Sequence, residues 1–397
     1  MNNIEKESPF APGKPVPIEY FVGRINEINR LQRAIHQTSG GRNENIFITG
    51  ERGIGKSSLA SFARFLAIKN YDFLGVHCSL GGIRDLEGMI RIVFQRLFQE
   101  ASEKSIRVRL KELLGKFIKG VDLFGISVEF TSDHAQLRTL VENFLPFLRE
   151  IYYNIREQKR GILIILDDLN GITVQSDFAH FLKSFVDEIA VFQEPIPILL
   201  ILVGIEDRRE DLIKFQPSIT RIFDIIELTS MTEEEAAEFF TKAFARQGIK
   251  IKPEAMDLMV RFSGGLPMLM HEVGDGVFWR DNDSFISEED AQNGILDAAD
   301  NVGRKYLDPQ VYNAMRSVTY RSILRKLAKI QLGMSFIRKD IITQMSTQEA
   351  NNFDNFLRRA QKVGIITKGE SRGEYRFVNQ LFHLYIFLEA FKAEREK

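Results

Sequence analysis

The stretch FITGERGIGKSSLA, residues 48–61, runs from apolar residues through three glycines into a lysine and two serines. From Gly50 to Ser57 it has the spacing G-x-x-x-x-G-K-[ST]. Glycines let the backbone wrap closely around an anion, and the N-terminus of a following helix presents its N–H groups to the same charge. The stretch therefore predicts a phosphate-binding loop between a strand and a helix. A glycine-rich turn that binds nothing is the alternative.

Within this loop, Lys56 is expected to reach the β- and γ-phosphates and to act in catalysis, and Ser57 to hold Mg²⁺. Within this stretch, the residues predicted to contact the nucleotide are Gly50, Gly53, Ile54, Gly55, Lys56, Ser57 and Ser58.

The segment GILIILDDLN, residues 161–170, supplies the second half of the predicted site. Its apolar run places Asp167 at the carboxyl end of a buried strand, where the carboxylate is expected to help Ser57 hold Mg²⁺. Asp168 is expected to polarise the attacking water. An acidic strand end that only faces solvent is the alternative. The two motifs in this order predict ATP or ADP with Mg²⁺ as cofactors.

Length and composition restrict the class of protein. The 397 residues predict two or three domains, and 44% hydrophobic with 27% charged residues describes a well-cored globular chain. The net charge of −1 gives no bulk attraction to nucleic acid. The one cysteine, Cys78, excludes an internal disulfide and predicts a reducing, cytoplasmic location. We expect no membrane partner, because no apolar run approaches the roughly 20 residues that cross a bilayer.

Apolar strands alternate with helical segments in the first part of the chain, which predicts a parallel sheet covered on both faces. The expected strands lie in 44–50, 69–80, 161–170, 196–204 and 223–228. We predict an α/β fold whose P-loop core has three αβα layers. Its expected parts are an extended arm (1–19), a core (20–230) with a helical and hairpin insertion at about 84–130, a part with helices only (231–305) and a part with helices and a hairpin (306–397). The family resemblance given below implies that the last three are an ATPase core, a helical lid and a winged-helix domain.

The predicted winged-helix domain is basic. Residues 315–376 contain thirteen Lys/Arg and five Asp/Glu, a local charge of +8, so the rest of the chain carries −9. A helix at about 348–362 has an apolar face, and its remaining positions are polar. We predict duplex DNA as a partner through cations of this helix and of the following hairpin, namely Arg358, Arg359, Lys362, Lys368 and Arg372. A solvated basic face is the alternative.

Three segments resemble AAA+ and STAND-type ATPases. YFVGRINEINRL (20–31) resembles the segment that covers the adenine in those proteins, which implies nucleotide contacts from Phe21, Val22, Gly23 and Arg24. SITRIFDIIELTSMTEEEA (218–236) resembles their arginine-finger segment and implies that Arg221 acts on a neighbouring subunit; a solvated loop cation is the alternative. SGGLPMLM (263–270) resembles the GLP element of the lid in those proteins, which implies that Pro267 contacts the nucleotide.

The winged-helix architecture resembles that of the origin-recognition initiator ATPases and their bacterial and archaeal relatives, and three departures matter. Asp168 stands where many relatives have glutamate, which predicts slow hydrolysis. Gly204 replaces a polar sensor residue, and His271 lies where initiators carry an arginine. His271 is expected either to contact phosphate or to be an ordinary surface or core histidine. Trp279 and Cys78 are expected in or near the core.

The resemblance implies a switch that couples ATP binding and slow hydrolysis to homo-oligomer assembly and to DNA binding. Two alternatives remain at this point. One is a signalling or defence ATPase whose winged helix is an internal latch and whose output is an effector protein. The other is a transposition-regulator ATPase that forms filaments on DNA. Salt-dependent DNA binding distinguishes the first and third functions from the second.

Overall fold

The computed structural model describes residues 6–14, 21–101, 134–192, 194, 196–312, 317–330 and 335–395. The chain divides into two compact units. The core unit comprises residues 15–229, and the C-terminal unit joins the chain up to Lys14 to Ser230 and everything after it. The hairpin expected at 120–130 lies outside the described residues.

A parallel sheet of five strands organises the core unit, with the spatial order β2-β3-β4-β1-β5. The strands are β1 (Glu44–Gly50), β2 (Phe73–Ser79), β3 (Gly161–Asp167), β4 (Ile198–Val203) and β5 (Asp224–Leu228). Every residue of β3 and β4 is buried, so the middle of the sheet is covered on both faces. The predicted α/β class with a parallel sheet is confirmed.

The helices of the core unit connect these strands. They are α1 (Ile25–Ser39), α2 (Lys56–Tyr71), α3 (Leu86–Glu100), α4 (His134–Glu142), α5 (Phe144–Ile155), α6 (Ser176–Ala190), α7 (Glu206–Phe215) and α8 (Ile219–Ile222). Residues 134–155 form two helices, α4 and α5, separated at Asn143. Pro146 lies in the first turn of α5, where proline is tolerated, but it cannot continue a helix from α4 because it has no N–H to donate.

The first part of the C-terminal unit is a group of four helices, α9 (Glu233–Ala245), α10 (Pro253–Ser263), α11 (Pro267–Phe278) and α12 (Glu288–Val302), with two short paired strands, β6 (Lys250–Ile251) and β7 (Phe285–Ile286). Residues 6–14 pack into the same unit. Phe10 is the anchor of this segment, because its ring is buried and lies 5.1 Å from that of Phe244.

The rest of the C-terminal unit begins with a π-helical segment, Gly303–Tyr312, and continues with α13 (Val318–Ile330), α14 (Arg338–Ile342), α15 (Thr347–Lys362) and α16 (Gln380–Arg395). Three antiparallel strands, β8 (Ser335–Ile337), β9 (Ile366–Lys368) and β10 (Glu374–Phe377), form a sheet in the order β8-β10-β9. The hairpin was expected. Strand β8 was not, because three residues are too short to show a period of two.

The expected apolar face of α15 is buried: Phe353, Phe356, Leu357 and Ala360 all belong to one core with α13 and α16. A membrane-crossing helix would need greater length and apolarity than any helix within the described ranges has.

Candidate nucleotide site and basic module

The loop between β1 and α2 has the backbone geometry that its glycines allow. Gly50, Gly53 and Gly55 have φ values of 142°, 79° and 94°, a region that residues with a side chain rarely occupy. A Cβ on Gly50 would lie 2.6 Å from the carbonyl oxygen of Leu228, so β5 prevents any larger residue there. The loop leaves its backbone accessible, because Gly53 is exposed and Gly55 half-buried, whereas Ile54 anchors it from below as a buried residue.

Lys56 begins α2 and folds back over the loop. Its Nζ donates to the carbonyl oxygens of Gly50 at 2.9 Å and Glu51 at 2.6 Å. Burial lowers the pKa of Lys56, and the nearby carboxylate of Asp167 opposes that shift. Ser57 is exposed and Ser58 half-buried in the same first turn, where the helix has unpaired N–H groups and a positive dipole end. This turn is suited to an anion.

The segment expected on the adenine side is attached to this loop. Arg24, buried and left-handed at φ 61°, donates from its guanidinium to the carbonyl of Ile54 at 3.3 Å. The ring of Phe21 stacks on Phe62 of α2, with the ring centroids 4.8 Å apart. Val22 and Gly23 between them are half-buried. The four residues therefore lie against the loop and α2 within the core unit.

Asp167 ends β3 with both carboxylate oxygens hydrogen-bonded. Oδ1 accepts the main-chain N–H of Asp168 at 2.8 Å, and Oδ2 lies 2.9 Å from Nε2 of His77. The Nδ1 of His77 is in turn 3.2 Å from Oγ of Ser61 on α2. Because Asp167 is largely buried, these contacts fix the orientation of its carboxylate.

Asp168 adopts a left-handed conformation, φ 58°, that non-glycine residues seldom have. Its side chain accepts a hydrogen bond from the Asn170 amide. The carboxylate also lies against the loop that follows β2: a Cβ on Gly81 would be 2.3 Å from Oδ2 of Asp168. Backbone strain of this kind is concentrated at functional sites, where the surrounding structure maintains it.

A carboxylate that was not predicted from the sequence, that of Glu206, lies near the phosphate-binding loop just after the end of β4. Gly204 follows β4 and offers no polar side chain, but Glu206 at the start of α7 accepts a hydrogen bond from Oγ1 of Thr49 at 3.1 Å. Thr49 immediately precedes the loop. Arg209 pairs with Glu206 from one turn further along α7, and its hydrogen bond lowers the pKa of that carboxyl. The only sequence signal was an acidic residue two positions after Gly204.

Arg221 lies on the short helix α8, and its side chain is exposed. It is thus accessible to another molecule.

A tight turn joins α10 to α11 in the C-terminal unit. Gly264 and Gly265 have φ values of 57° and 66°, and the carbonyl of Gly265 accepts the N–H of Met231 at 2.8 Å. A Cβ on Gly265 would lie 2.1 Å from the Met231 carbonyl oxygen. Pro267 then starts α11, at a position where its missing N–H costs nothing.

His271 is buried on α11 and contacts the N-terminal segment. Its Nδ1 accepts the main-chain N–H of Ala11 at 3.2 Å, and its ring packs edge-on against Phe239 at 5.1 Å. Burial lowers the pKa of His271 to about 4, so the ring is neutral at pH 7. Of the two readings of this histidine, the structure favours the core residue.

The basic residues of the C-terminal module differ in exposure. Arg358, Lys362, Lys368 and Arg372 are exposed, and Arg359 is half-buried. Arg358 also donates to Asn355 at 2.6 Å.

Two further expectations have different outcomes. Cys78 is fully buried on β2, as expected, and burial raises the pKa of its thiol to about 12. Trp279, expected in or near the core, is 46% exposed and so lies outside the core, where it packs edge-on against the buried ring of Phe278 at the end of α11.

The donor set fits a hard divalent cation. Mg²⁺ takes oxygen ligands, and Ser57 and Asp167 offer a hydroxyl and a carboxylate beside a loop shaped by glycines. Across the ranges that the structure describes, no cluster of three or more His, Cys, Asp or Glu has the arrangement of an all-protein metal site. A site for Mg²⁺ here would therefore be completed by phosphate and water.

Comparison with known proteins agrees with this geometry. Residues 20–201 match the family described as "AAA ATPase domain". Residues 20–201 thus form an AAA-type ATPase domain, and the fold of the chain is similar to that of the two solved structures described next. No curated protein gives a significant match.

Two solved structures are similar over nearly the whole chain. One is the Walker-type ATPase of Pyrococcus abyssi, at 16% identity and a TM-score of 0.55, covering 93% of this chain and 96% of that one. The other is the ORC2 protein of Aeropyrum pernix, in complexes with ADPNP and ADP, at 12% identity and a TM-score of 0.58, covering 98% and 97%. At these identities the likeness establishes the fold alone.

Proposed function

We propose that this protein is a slowly hydrolysing ATP switch that couples its nucleotide state to self-association and to DNA binding. The observation that carries the proposal is the glycine loop from Gly50 to Gly55, followed by Lys56 at the start of α2. The loop follows β1, and Asp167, whose carboxylate is held by hydrogen bonds, ends β3 of the same sheet. In this proposal the loop N–H groups and Lys56 bind the phosphates, and Ser57 and Asp167 hold Mg²⁺, which neutralises phosphate charge.

Asp168 is the proposed acceptor that orients the attacking water. Its carboxylate is held by Asn170 and has one methylene less than glutamate, which supports a slow turnover. Phe21, Val22, Gly23 and Arg24 cover the adenine side in this proposal, and Pro267 belongs to the lid. The exposed Arg221 completes the site of a neighbouring subunit.

The elements from α13 to α16 are the proposed winged helix. Helices α13, α14 and α15 precede the β9–β10 hairpin, α16 follows it, and β8 joins the hairpin in a three-stranded antiparallel sheet. Helix α15 buries one face and exposes Arg358 and Lys362 on the other. The exposed cations of α15 and of the β9–β10 hairpin are suited to phosphates on both sides of a groove.

A specific observation also favours the latch function. Tyr385 of α16 packs so closely on Gly303 that a Cβ there would lie 2.2 Å from its ring, so the module and the lid helices share one compact unit. In addition, the exposed Asp354 on α15 pairs with Arg338 and reduces the positive charge of that surface.

Fluorescence anisotropy of a labelled duplex with ATP, with ADP and without nucleotide tests the proposal. The wild type is compared with Asp168→Asn, which is expected to retain ATP without hydrolysing it. DNA affinity that changes with nucleotide, and stays in the ATP state for the variant, supports the coupled switch. Equal affinity in all three conditions overturns the coupling, and no binding in any of them makes the latch function the leading one.

A further inference from the structure

His77 has no role in the proposed site so far, yet it is the only side chain that the described hydrogen bonds place on Oδ2 of Asp167. We propose that His77 is a positioning residue, which holds the Asp167 carboxylate in the orientation that a bound metal–nucleotide complex requires. The inference rests on the proposed function, because it takes Asp167 as the carboxylate on the metal side.

The strand register explains how His77 reaches this carboxylate. In the parallel pair of β2 and β3, Ser79 lies opposite Asp167 and His77 opposite Ile165. Side chains alternate between the faces of a sheet, so His77 and Ser79 point to the same face. His77 therefore reaches Asp167 diagonally across the strand pair, along the face against which α2 packs through Arg64 and Gly75.

The hydrogen-bond chain defines which nitrogen of His77 carries the proton. An ionised carboxylate only accepts hydrogen bonds, so Nε2 must donate to Asp167. In the neutral ring Nδ1 is then an acceptor, and the hydroxyl of Ser61 donates to it across 3.2 Å. The two contacts together therefore hold the ring plane, and in the neutral ring they select the tautomer with the proton on Nε2.

The position of Ser61 links this chain to the predicted metal ligand of the phosphate loop. Ser61 follows Ser57 by four residues on α2, so the two hydroxyls lie on the same face, one turn apart. The chain Ser61–His77–Asp167 thus spans from α2 to the end of β3, the two elements that provide the proposed ligands of Mg²⁺.

Both oxygens of Asp167 already have one donor, His77 on Oδ2 and the N–H of Asp168 on Oδ1. A carboxylate offers about four lone-pair sites, so each oxygen keeps a free one for a metal or its water. The two donors remove the rotational freedom of the group. Partners of this outer kind typically change metal affinity by about 10- to 100-fold when they are removed.

The test is a titration of Mn²⁺ into the full-length protein with saturating ADP, followed by the electron paramagnetic resonance of free Mn²⁺. His77→Ala should weaken Mn²⁺ binding by about tenfold or more. His77→Gln, whose amide nitrogen reaches the position of Nε2, should restore most of it. Ser61→Ala should fall between wild type and His77→Ala. His180→Ala, on the exposed side of α6, is the matched control and should bind as wild type does.

Two parallel measurements make the result specific. ADP affinity in EDTA should be equal for wild type and all His77 variants, because the inferred role concerns the metal and not the phosphates. Thermal unfolding identifies any variant that binds Mn²⁺ poorly because it folds poorly. If His77→Ala is such a variant, the Mn²⁺ affinity of His77→Gln decides whether His77 positions Asp167.

The outcomes separate the two levels of inference. If wild type and Asp167→Asn bind Mn²⁺–ADP equally, the proposed function of this site is wrong and the inference falls with it. If Asp167→Asn weakens Mn²⁺ binding but His77→Ala and His77→Gln both match His180→Ala, His77 is a structural residue and the inference is overturned.

Discussion

The carboxylate of Asp168 fills the space that a side chain on Gly81 would need: its Oδ2 atom lies only 2.3 Å from the point where a Cβ on Gly81 would be. The turn after β2 must therefore lack a side chain for the Asp168 carboxylate to stay where it is. Because the neighbouring Gly82 has nothing within 4 Å of its Cβ position, the same turn provides a matched control.

We expect Gly81→Ala to lower ATP turnover by about 10- to 100-fold, because the added methyl displaces the group that orients water. Nucleotide affinity should stay near the wild-type value. The comparison is steady-state phosphate release by Gly81→Ala, Gly82→Ala and Asp168→Asn at saturating ATP. Equal turnover in the two glycine variants would show that the Asp168 position does not matter for hydrolysis.

Lys56→Ala should weaken ATP and ADP binding at least tenfold, about 1.4 kcal/mol or more. The ammonium that now donates to the carbonyls of Gly50 and Glu51 is the one expected to transfer to phosphate oxygens. Calorimetry gives the affinity, and Arg52→Ala, an exposed cation of the same loop, is the control for loss of charge alone. Unchanged affinity in Lys56→Ala would refute the phosphate-binding loop.

Arg221 should act on a neighbouring subunit. ATP turnover per subunit is expected to rise with protein concentration in the wild type and to stay low in Arg221→Ala, since an arginine supplied in trans stabilises charge in the transition state. Mixing is the sharper experiment. Arg221→Ala has an intact site and Asp168→Asn an intact arginine, so the mixture should hydrolyse ATP faster than either variant alone. A mixture no faster than the average of its parts would leave Arg221 a loop cation.

DNA binding by the C-terminal module should depend steeply on salt. The slope of log affinity against log salt is about −0.9 for each phosphate neutralised. Arg358→Ala and Lys362→Ala should each make the slope shallower by roughly one unit across all sequences. Arg359→Ala should change it less, because this side chain is half-buried. If all three variants keep the wild-type slope, α15 is excluded as the contact surface.

Acid should destabilise the C-terminal unit through His271. Burial lowers its pKa from 6.5 to about 4, so between these pH values the unfolded chain binds a proton at this histidine and the folded chain does not. Stability from this group is complete above pH 6.5 and falls as the pH drops toward 4, by up to about 3 kcal/mol. A protonated Nδ1 also cannot accept from Ala11. Urea unfolding between pH 4 and 8 should show this slope in wild type, and His271→Gln should flatten it.

Much of the core could be read from the sequence because its signals are local. The loop from Gly50 to Ser57 and the run before Asp167 each combine a motif with an apolar strand, and both lie where expected. The apolar face of α15 followed from a period of 3.6.

The partners of the site residues could not be predicted, since they depend on strand register and on loop packing. His77 reaches Asp167 only because β2 and β3 are neighbours with Ser79 opposite Asp167. The contacts of Gly81 with Asp168 and of Glu206 with Thr49 join segments far apart in the chain. No local pattern encodes such pairs.

The N-terminal segment has a consequence for the order in which the chain acquires its structure. Phe10 precedes the rings that bury it, Phe239 and Phe244 among them, by some 230 residues in the chain. At about 5–20 residues per second, this is a delay of roughly 10–50 s on the ribosome. All five strands of the core sheet are synthesised before these partners exist. The ring of Phe10 therefore has none of these partners while the ATPase core is being synthesised, and its segment can pack only afterwards.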